Sequence, residues 1–218
     1  MLIDPAPDGD CDAAIRLFNS DGSEAEMSGN GTRCAAAFLI RAGLGRDEMR
    51  IRTGAGTKSL RLLNQTGERF IFEMNMGQPE FTAEHFALPL ASGARDVTLV
   101  WVGNPQCAVP VPDFNFDWRA MGAEIERHPQ FPNRTNVSFL RRADDRTVEV
   151  RFWERGAGET MSSGTGSTGA FAAAVRRGLV ASPGRVLTPA GPLELRWEGD
   201  IYLTGPAEIV ADGVFLQP

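Results

Sequence analysis

Apolar and polar residues alternate with a period of two along most of the chain, which predicts a protein built mainly of β-strands. The predicted strands cover residues 15–19, 47–54, 57–63, 68–74, 96–102, 136–140, 147–154, 184–189, 192–197, 200–205 and 207–216. Residues 74–81 are predicted to cross between two halves of the molecule. Two alanine-rich segments, 35–41 and 170–176, predict buried helices, and the amphipathic segment 118–128 predicts a surface helix.

The sequence repeats itself at a fixed offset. Residues 163–166 (SGTG) follow residues 28–31 (SGNG) at 163 − 28 = 135 positions, and the same offset superimposes the strand before each turn and the alanine-rich helix after it. Gly43 and Gly178 also correspond, each placed to end its helix. Such extended similarity is typical of an internal duplication.

The duplication predicts an α/β (α+β) fold with two pseudo-symmetric domains, each a curved, mostly antiparallel sheet or barrel around a central helix. The predicted division is residues 1–75 and 76–207, with 208–218 returning to the first half. The counterpart of Asn104 would fall before Met1. The first half is therefore expected to lack its opening strands and helix, which would leave an open sheet edge that dimerisation is one way to cover.

The repeated glycine-rich turns predict an anion-binding site. A helix N-terminus offers free backbone N–H groups and the positive end of the helix dipole, and glycines let a ligand approach the backbone. Two such turns related by a pseudo-two-fold axis can grip one small carboxylate. Ser28 and Ser163 taken singly are also ordinary N-caps, but their duplication favours a shared site.

Composition narrows the classes of function. The 218-residue chain is 42% apolar with a net charge of −6, which argues against nucleic acid as a partner. It has no apolar run long enough to cross a membrane. Three unpatterned cysteines indicate a reducing compartment, and we expect a cytoplasmic protein. Two isolated histidines argue against a metal site, and Lys58, the only lysine, lies in a strand pattern that does not suit pyridoxal phosphate. These exclusions leave a reaction that needs no cofactor.

Two long motifs resemble the signatures of the diaminopimelate epimerase family. They are RLFNSDGSEAEMSGNGTRCAAAF in the first half and ERGAGETMSSGTGSTGAFAAAV in the second, and the blocks VGNPQCAV, HPQFPNRTNVSFL and LTGPAEIV are also similar. The resemblance covers essentially the whole chain. It implies cofactor-independent interconversion of LL- and meso-2,6-diaminopimelate, a step towards lysine and peptidoglycan precursors, by two-base proton exchange at the α-carbon.

The resemblance also implies the site residues. The α-carboxylate would contact the backbone of both helix starts, and polar side chains of both halves would hold the rest of the substrate. By position, these substrate-binding residues are Asn19, Gly29, Asn30, Asn104, Asn136, Glu154, Arg155, Gly164 and Thr165. The family's two bases are cysteines on opposite sides of the α-carbon, and their positions are Ser28 and Ser163. Gln106 stands where the family has histidine.

Serine cannot simply replace a thiolate as a base. A cysteine has a pKa of about 8.5, whereas a hydroxyl lies nearer to water at about 15.7, and the gap of about 7 units corresponds to roughly 10 kcal/mol. A helix dipole supplies only about 0.3–2 kcal/mol. Gln106 does not titrate. A serine here needs a neighbouring base, for which Glu154 and Glu159 are the candidates.

Three functions therefore stay open at the level of sequence. The first is a diaminopimelate-type epimerase, active in a longer natural form or disabled by engineering of its two catalytic positions to serine. The second is an isomerase of another small carboxylate that uses glutamates to move a proton. The third is a relative that binds an anionic amino acid without catalysis. Measurements of α-proton exchange and of ligand binding distinguish these three functions.

Overall fold

The computed structural model describes residues 1–4, 9–18 and 22–214, which form fifteen strands and three helices. The helices are α1 (Gly29–Arg41), α2 (Trp118–Glu126) and α3 (Gly164–Arg176). The strands are β1 (Leu2–Asp4), β2 (Ala13–Phe18), β3 (Glu24–Ala25), β4 (Glu48–Thr53), β5 (Gly56–Thr66), β6 (Arg69–Gly77), β7 (Glu80–Leu88), β8 (Arg95–Trp101), β9 (Pro105–Pro110), β10 (Asn136–Arg142), β11 (Thr147–Glu154), β12 (Gly158–Thr160), β13 (Gly184–Thr188), β14 (Gly191–Glu198) and β15 (Asp200–Glu208).

The strands form one continuous sheet in the order β1-β2-β4-β5-β6-β15-β14-β13-β11-β10-β9-β8-β7, with β3 on β2 and β12 on β11. The same pairings occur in both halves. Strand β2 is parallel to β4 and antiparallel to β1 and β3, just as β11 is parallel to β13 and antiparallel to β10 and β12. The halves meet where β6 pairs antiparallel with β15. The predicted α+β fold with internal pseudo-symmetry is confirmed.

Helices α1 and α3 start and end at positions 135 residues apart. Their alanines explain why a sheet can close around them, because small side chains let strands approach the helix axis. Ala35 and Ala36 are fully buried, and every residue of α3 from Gly164 to Ala174 is buried. Both helices belong to one large apolar core, while α2 and strands β7–β10 enclose a second, smaller core.

The halves differ at the outer end of the first. Strands β8 and β9 and helix α2 have no counterpart there among the described residues, so the edge of β1 is unpaired by any described strand. In the second half, β8 and β9 pack against α3 and Ala173 is fully buried. Its counterpart Phe38 on α1 is 51% exposed. A homodimer that covers this surface stays a prediction.

The strand prediction missed β1, β3, β7, β9 and β12, and it is wrong in two further details. Segment 74–81 is not a crossover alone, since β6 continues to Gly77 and β7 begins at Glu80. Strand β7 was not predicted because buried and exposed residues do not alternate regularly along it. It is an edge strand whose pairing with β8 is irregular. The last predicted strand, 207–216, is also wrong, because β15 ends at Glu208 and residues 209–214 form no strand.

The division into residues 1–75 and 76–207 stays a prediction. Contacts of the C-terminal segment with the first half agree with its predicted return, since Ile209 N donates to Glu68 O at 3.0 Å and Arg41 forms an ion pair with Asp212. Residues 215–218 lie outside the described part of the chain.

Candidate active site

Ser28 and Ser163 cap the two central helices with nearly identical geometry. Both have extended backbone conformations, with φ/ψ of −137°/117° for Ser28 and −133°/122° for Ser163. Ser28 Oγ accepts from Gly31 N at 3.1 Å, and Ser163 Oγ accepts from Gly166 N at 3.0 Å. Neither first turn carries an acidic side chain. No carboxylate of its own first turn therefore reduces the positive potential of either helix end.

The two helix starts touch each other at Gly29 and Gly164. A Cβ atom on Gly164 would lie 2.9 Å from Gly29 Cα, and one on Gly29 would lie 3.1 Å from Gly164 Cα. Asn30 strengthens the junction by donating from Nδ2 to Ser162 O at 3.0 Å. The predicted pairing of the helix N-termini therefore exists, and it places two sets of backbone N–H donors side by side.

A cavity of about 150 Å³ opens beside the Ser28 end of this junction. Its lining consists of Ala25, Glu26, Met27, Ser28, Asn104, Asn136, Glu154, Arg155 and Ala157. Five of these were predicted as site residues. A wider open groove of about 630 Å³ lies along β4, β5, β6 and β15, but its lining includes neither helix start. The smaller cavity is therefore the candidate site on chemical grounds.

Glu154 is held by two hydroxyl groups at the end of β11. Its Oε2 accepts from Ser163 Oγ at 2.8 Å and its Oε1 accepts from Thr160 Oγ1 at 2.6 Å. Burial raises the pKa of Glu154 above its ordinary value of 4.5, and the two hydrogen bonds only partly oppose that rise. Glu154 is thus a partly desolvated carboxyl at the cavity wall, and a raised pKa suits a carboxyl to act as a general base.

Glu159, the other candidate base, faces away from the site. Its carboxylate accepts two hydrogen bonds from the Arg119 guanidinium, at 2.5 and 2.7 Å, on the exposed side of α2. The register of the β11–β12 hairpin explains the difference, because Glu159 pairs with Trp153 while Glu154 pairs with Gly158. Neighbours along a strand point to opposite faces. Only Glu154 faces α3.

A chain of amides connects Gln106 to the start of α3. Gln106 Nε2 donates to Asn104 Oδ1 at 2.6 Å, and Asn104 Nδ2 donates to Thr165 Oγ1 at 3.3 Å. All three side chains are buried, and Gln106 packs under Gly169 of α3. Gln106 Oε1 has no partner among the described residues. Gln106 does not line the cavity, so its contact with the site runs through Asn104.

Asn136 and Arg155 form the far wall of the cavity. Asn136 Nδ2 donates to Pro105 O at 3.0 Å, and its Oδ1 accepts from Arg155 N at 3.0 Å. The Arg155 guanidinium donates to Asn133 O at 3.3 Å and forms an ion pair with Glu26. This pair joins residues 129 positions apart and closes the cavity across the two halves. Sequence patterns gave no signal for Glu26.

Arg33 is a second residue that the sequence did not single out. It is 3% exposed and donates to Gly29 O at 3.2 Å, Asn30 Oδ1 at 2.8 Å and Pro206 O at 3.2 Å. Burial lowers the pKa of Arg33 to about 10. The sequence feature that could have identified Arg33 is the presence of an arginine in an alanine-rich helix. Arg33 ties the first turn of α1 to β15.

None of the three cysteines belongs to the site. Cys34 is exposed on α1 and Cys11 is half-buried before β2. Cys107 is fully buried in β9, and burial raises the pKa of its thiol. The predicted contact Asn19 lies outside the described residues. Residues 1–4, 9–18 and 22–214 include no group of three or more His, Cys, Asp or Glu placed to hold a metal ion. Over the same ranges, no helix is both long and apolar enough to cross a bilayer.

Comparison with known proteins agrees with this geometry. The family model described as diaminopimelate epimerase matches residues 2–82 and 98–210. The diaminopimelate epimerase of Halothermothrix orenii is 35% identical over 230 residues, spanning 98% of this chain and 81% of the relative. That of Pelotomaculum thermopropionicum is 37% identical, spanning 99% and 82%. A crystal structure of a hydroxyproline epimerase from Agrobacterium vitis, with bound trans-4-hydroxy-L-proline, has a TM-score of 0.76 at 19% identity, covering 96% of this chain and 73% of that one.

The family model and the curated relatives place this duplicated α+β fold in the epimerase and isomerase class. Within that class, this chain belongs to the diaminopimelate epimerase family.

Proposed function

We propose that this protein binds a small amino-acid carboxylate of the diaminopimelate type in the cavity beside the paired helix starts and exchanges its α-proton without a cofactor. The contact of Gly29 with Gly164 carries the proposal, because it merges two helix N-termini into one anion site beside a polar cavity. An α-carboxylate held there makes the α-proton more acidic, since the backbone N–H groups stabilise the charge that develops when the proton leaves.

The cavity walls suit an amino acid that carries further polar groups. Asn104 and Asn136 present amide groups, while Glu26, Glu154 and Arg155 add both signs of charge. The side chains proposed as substrate contacts are Asn19, Asn104, Asn136, Glu154 and Arg155, and the backbone contacts are Gly29, Asn30, Gly164 and Thr165. Relatives named diaminopimelate epimerase, at 35–37% identity, favour diaminopimelate as the first ligand to test.

Full epimerisation requires a base on each face of the α-carbon. In this chain serines occupy both positions, and their hydroxyl groups are too weakly acidic to act as thiolates do. The test measures α-proton exchange in D2O with LL- and meso-diaminopimelate, for the parent and for a Ser28→Cys, Ser163→Cys double variant. Exchange by either protein supports the proposed ligand class. If neither protein exchanges the α-proton and the ligand does not raise the Tm of either, the proposed ligand class is contradicted.

A binding protein without catalysis is the second candidate, and the two serines favour it. Ser28 and Ser163 keep the N-cap hydrogen bonds that shape the anion site but provide no thiolate. This candidate predicts that diaminopimelate raises the Tm of the parent while its α-proton stays in place, and that the double cysteine variant restores exchange.

A further inference from the structure

The two halves differ at one position beside the paired helix starts. Residue 154 is a glutamate, whereas its counterpart 135 positions earlier is Asn19. An amide does not take up a proton, and a carboxylate does. At the sequence position that corresponds to Glu154, the first half therefore carries an amide in place of a carboxyl.

The hydroxyl groups of the two N-caps are also used differently. Ser163 donates to Glu154 at 2.8 Å and accepts from Gly166 N at 3.0 Å, so its proton is committed. Ser28 accepts from Gly31 N at 3.1 Å, and within the described ranges its own proton has no acceptor. A hydroxyl with a free proton at a cavity wall suits donation to a ligand carboxylate.

Exposure to the cavity separates the same residues. Glu154 and Ser28 line it, whereas Ser163 is 3% exposed and lies behind Glu154. A bound amino acid therefore meets a hydroxyl donor on the first-half side and a carboxyl on the second-half side. Ser163 fixes the direction of that carboxyl together with Thr160, so Ser163 is a positioning residue.

We propose that Glu154 is the single base of this site, and that it removes and returns the α-proton on one face of the bound amino acid. The inference rests on the proposed function and specifies which residue moves the proton. In the forward step the α-carbon–hydrogen bond breaks, the proton passes to a Glu154 oxygen, and the electron pair stays on the substrate, delocalised into its carboxylate. In the return step the carboxyl, after exchange with solvent, gives a proton to the same face. The net result is hydrogen exchange with retained configuration.

Other acidic groups around the site are engaged elsewhere. Glu26 is paired with Arg155, and Glu159 is paired with Arg119 outside the cavity. The cysteine thiols are not in the lining. Among the described residues that line the cavity, Glu154 is therefore the only carboxyl without a cationic partner.

The experiment follows deuterium at the α-carbon by proton NMR, with LL- and meso-diaminopimelate as separate substrates and the diastereomer ratio measured in the same samples. For the parent we expect deuterium in centres of one configuration and no change in the ratio of LL to meso forms. Glu154→Gln should slow exchange at least about 100-fold, the usual contribution of a general base. Glu154→Asp should recover part of the rate because it keeps a carboxyl. Glu159→Gln, the matched control, should leave the rate unchanged.

Ser163→Ala and Ser28→Ala separate positioning from binding. Because Ser163 orients the base, its loss should lower kcat more than it changes KM, whereas loss of the Ser28 donor should mainly raise KM. Interconversion of LL and meso forms by the parent, or exchange that survives Glu154→Gln, would overturn the single-base course while leaving the proposed function intact. A silent parent with an active double cysteine variant would also overturn it. If the parent and every variant fail to exchange the α-proton, the proposed function is overturned, and the single-base mechanism with it.

Discussion

Gly29 and Gly164 are in backbone contact across the pseudo-two-fold axis, so close that a Cβ on Gly164 would lie 2.9 Å from Gly29 Cα. At this contact, a side chain on either residue would collide with the backbone of the other, so glycine is required on both sides. The shared anion site depends on this contact, because the distance between the two sets of N–H donors determines whether one carboxylate can reach both.

Gly164→Ala should destabilise the protein by about 1–3 kcal/mol, because the added methyl group forces the two helix starts apart. Gly29→Ala should act in the same direction. Urea unfolding measures both, and Gly213→Ala is the control, since its Cβ would meet nothing within 4 Å. Variants as stable as the parent would mean that the helix starts separate freely, and the shared anion site would lose its structural basis.

The sequence predicted the helix starts because their signals are local. A serine followed by glycines and an alanine run specifies an N-cap and a buried helix without reference to the rest of the chain. The 135-residue offset then predicted that Ser28 and Ser163 occupy equivalent positions. Pseudo-symmetry brought the two turns together, which is a tertiary consequence that a duplicated motif allows one to infer.

Features that depend on long-range packing could not be predicted from the sequence. Arg33 binds the carbonyl of Pro206 on β15, and Glu26 pairs with Arg155 from the other half. No periodicity links residues so distant. The choice between Glu154 and Glu159 also needed the register of the β11–β12 hairpin, because a shift of one residue exchanges the faces on which they lie.

Ser163→Ala should destabilise the protein more than Ser28→Ala. Loss of either N-cap costs about 0.5–2 kcal/mol. Ser163→Ala also removes a donor from the buried side of Glu154, and an unsatisfied buried acceptor costs about 1–3 kcal/mol more. Paired urea unfolding curves test the ranking. Equal losses would show that the Ser163–Glu154 hydrogen bond adds nothing to stability, and Ser28→Ala provides the matched baseline.

Stability should fall with rising pH through the titration of Glu154. Burial holds the pKa of this carboxyl above its ordinary value of 4.5, so between the two values the native state binds more protons than the unfolded chain. The free energy of unfolding therefore decreases as pH rises through that window. Glu154→Gln removes the titration, and its stability relative to the parent should increase as the pH rises above 4.5, the ordinary value for this carboxyl.

Unfolding measured for both proteins across that range provides the check, and titrations that the two proteins share cancel in the difference. Thr160→Val provides a second comparison, because it removes one of the hydrogen bonds that favour the charged carboxylate. The pKa of Glu154 should rise further in that variant, and the decline in stability should extend to higher pH. A difference between parent and Glu154→Gln that is constant with pH would contradict a raised pKa.

Arg33→Lys should destabilise the protein by about 2–3 kcal/mol although it keeps the charge. The guanidinium of Arg33 donates in three directions, to Gly29 O, Asn30 Oδ1 and Pro206 O, and a single ammonium cannot reach acceptors on both α1 and β15. Exposed Arg185→Lys, where the arginine pairs with Glu194, is the matched control and should change stability by less than about 1 kcal/mol. Because Arg33 also holds the first turn of α1 in place, the variant should bind the amino-acid ligand more weakly than the control does. An Arg33→Lys protein with the stability and ligand affinity of the parent would show that the first turn of α1 is positioned by its contact with α3 alone.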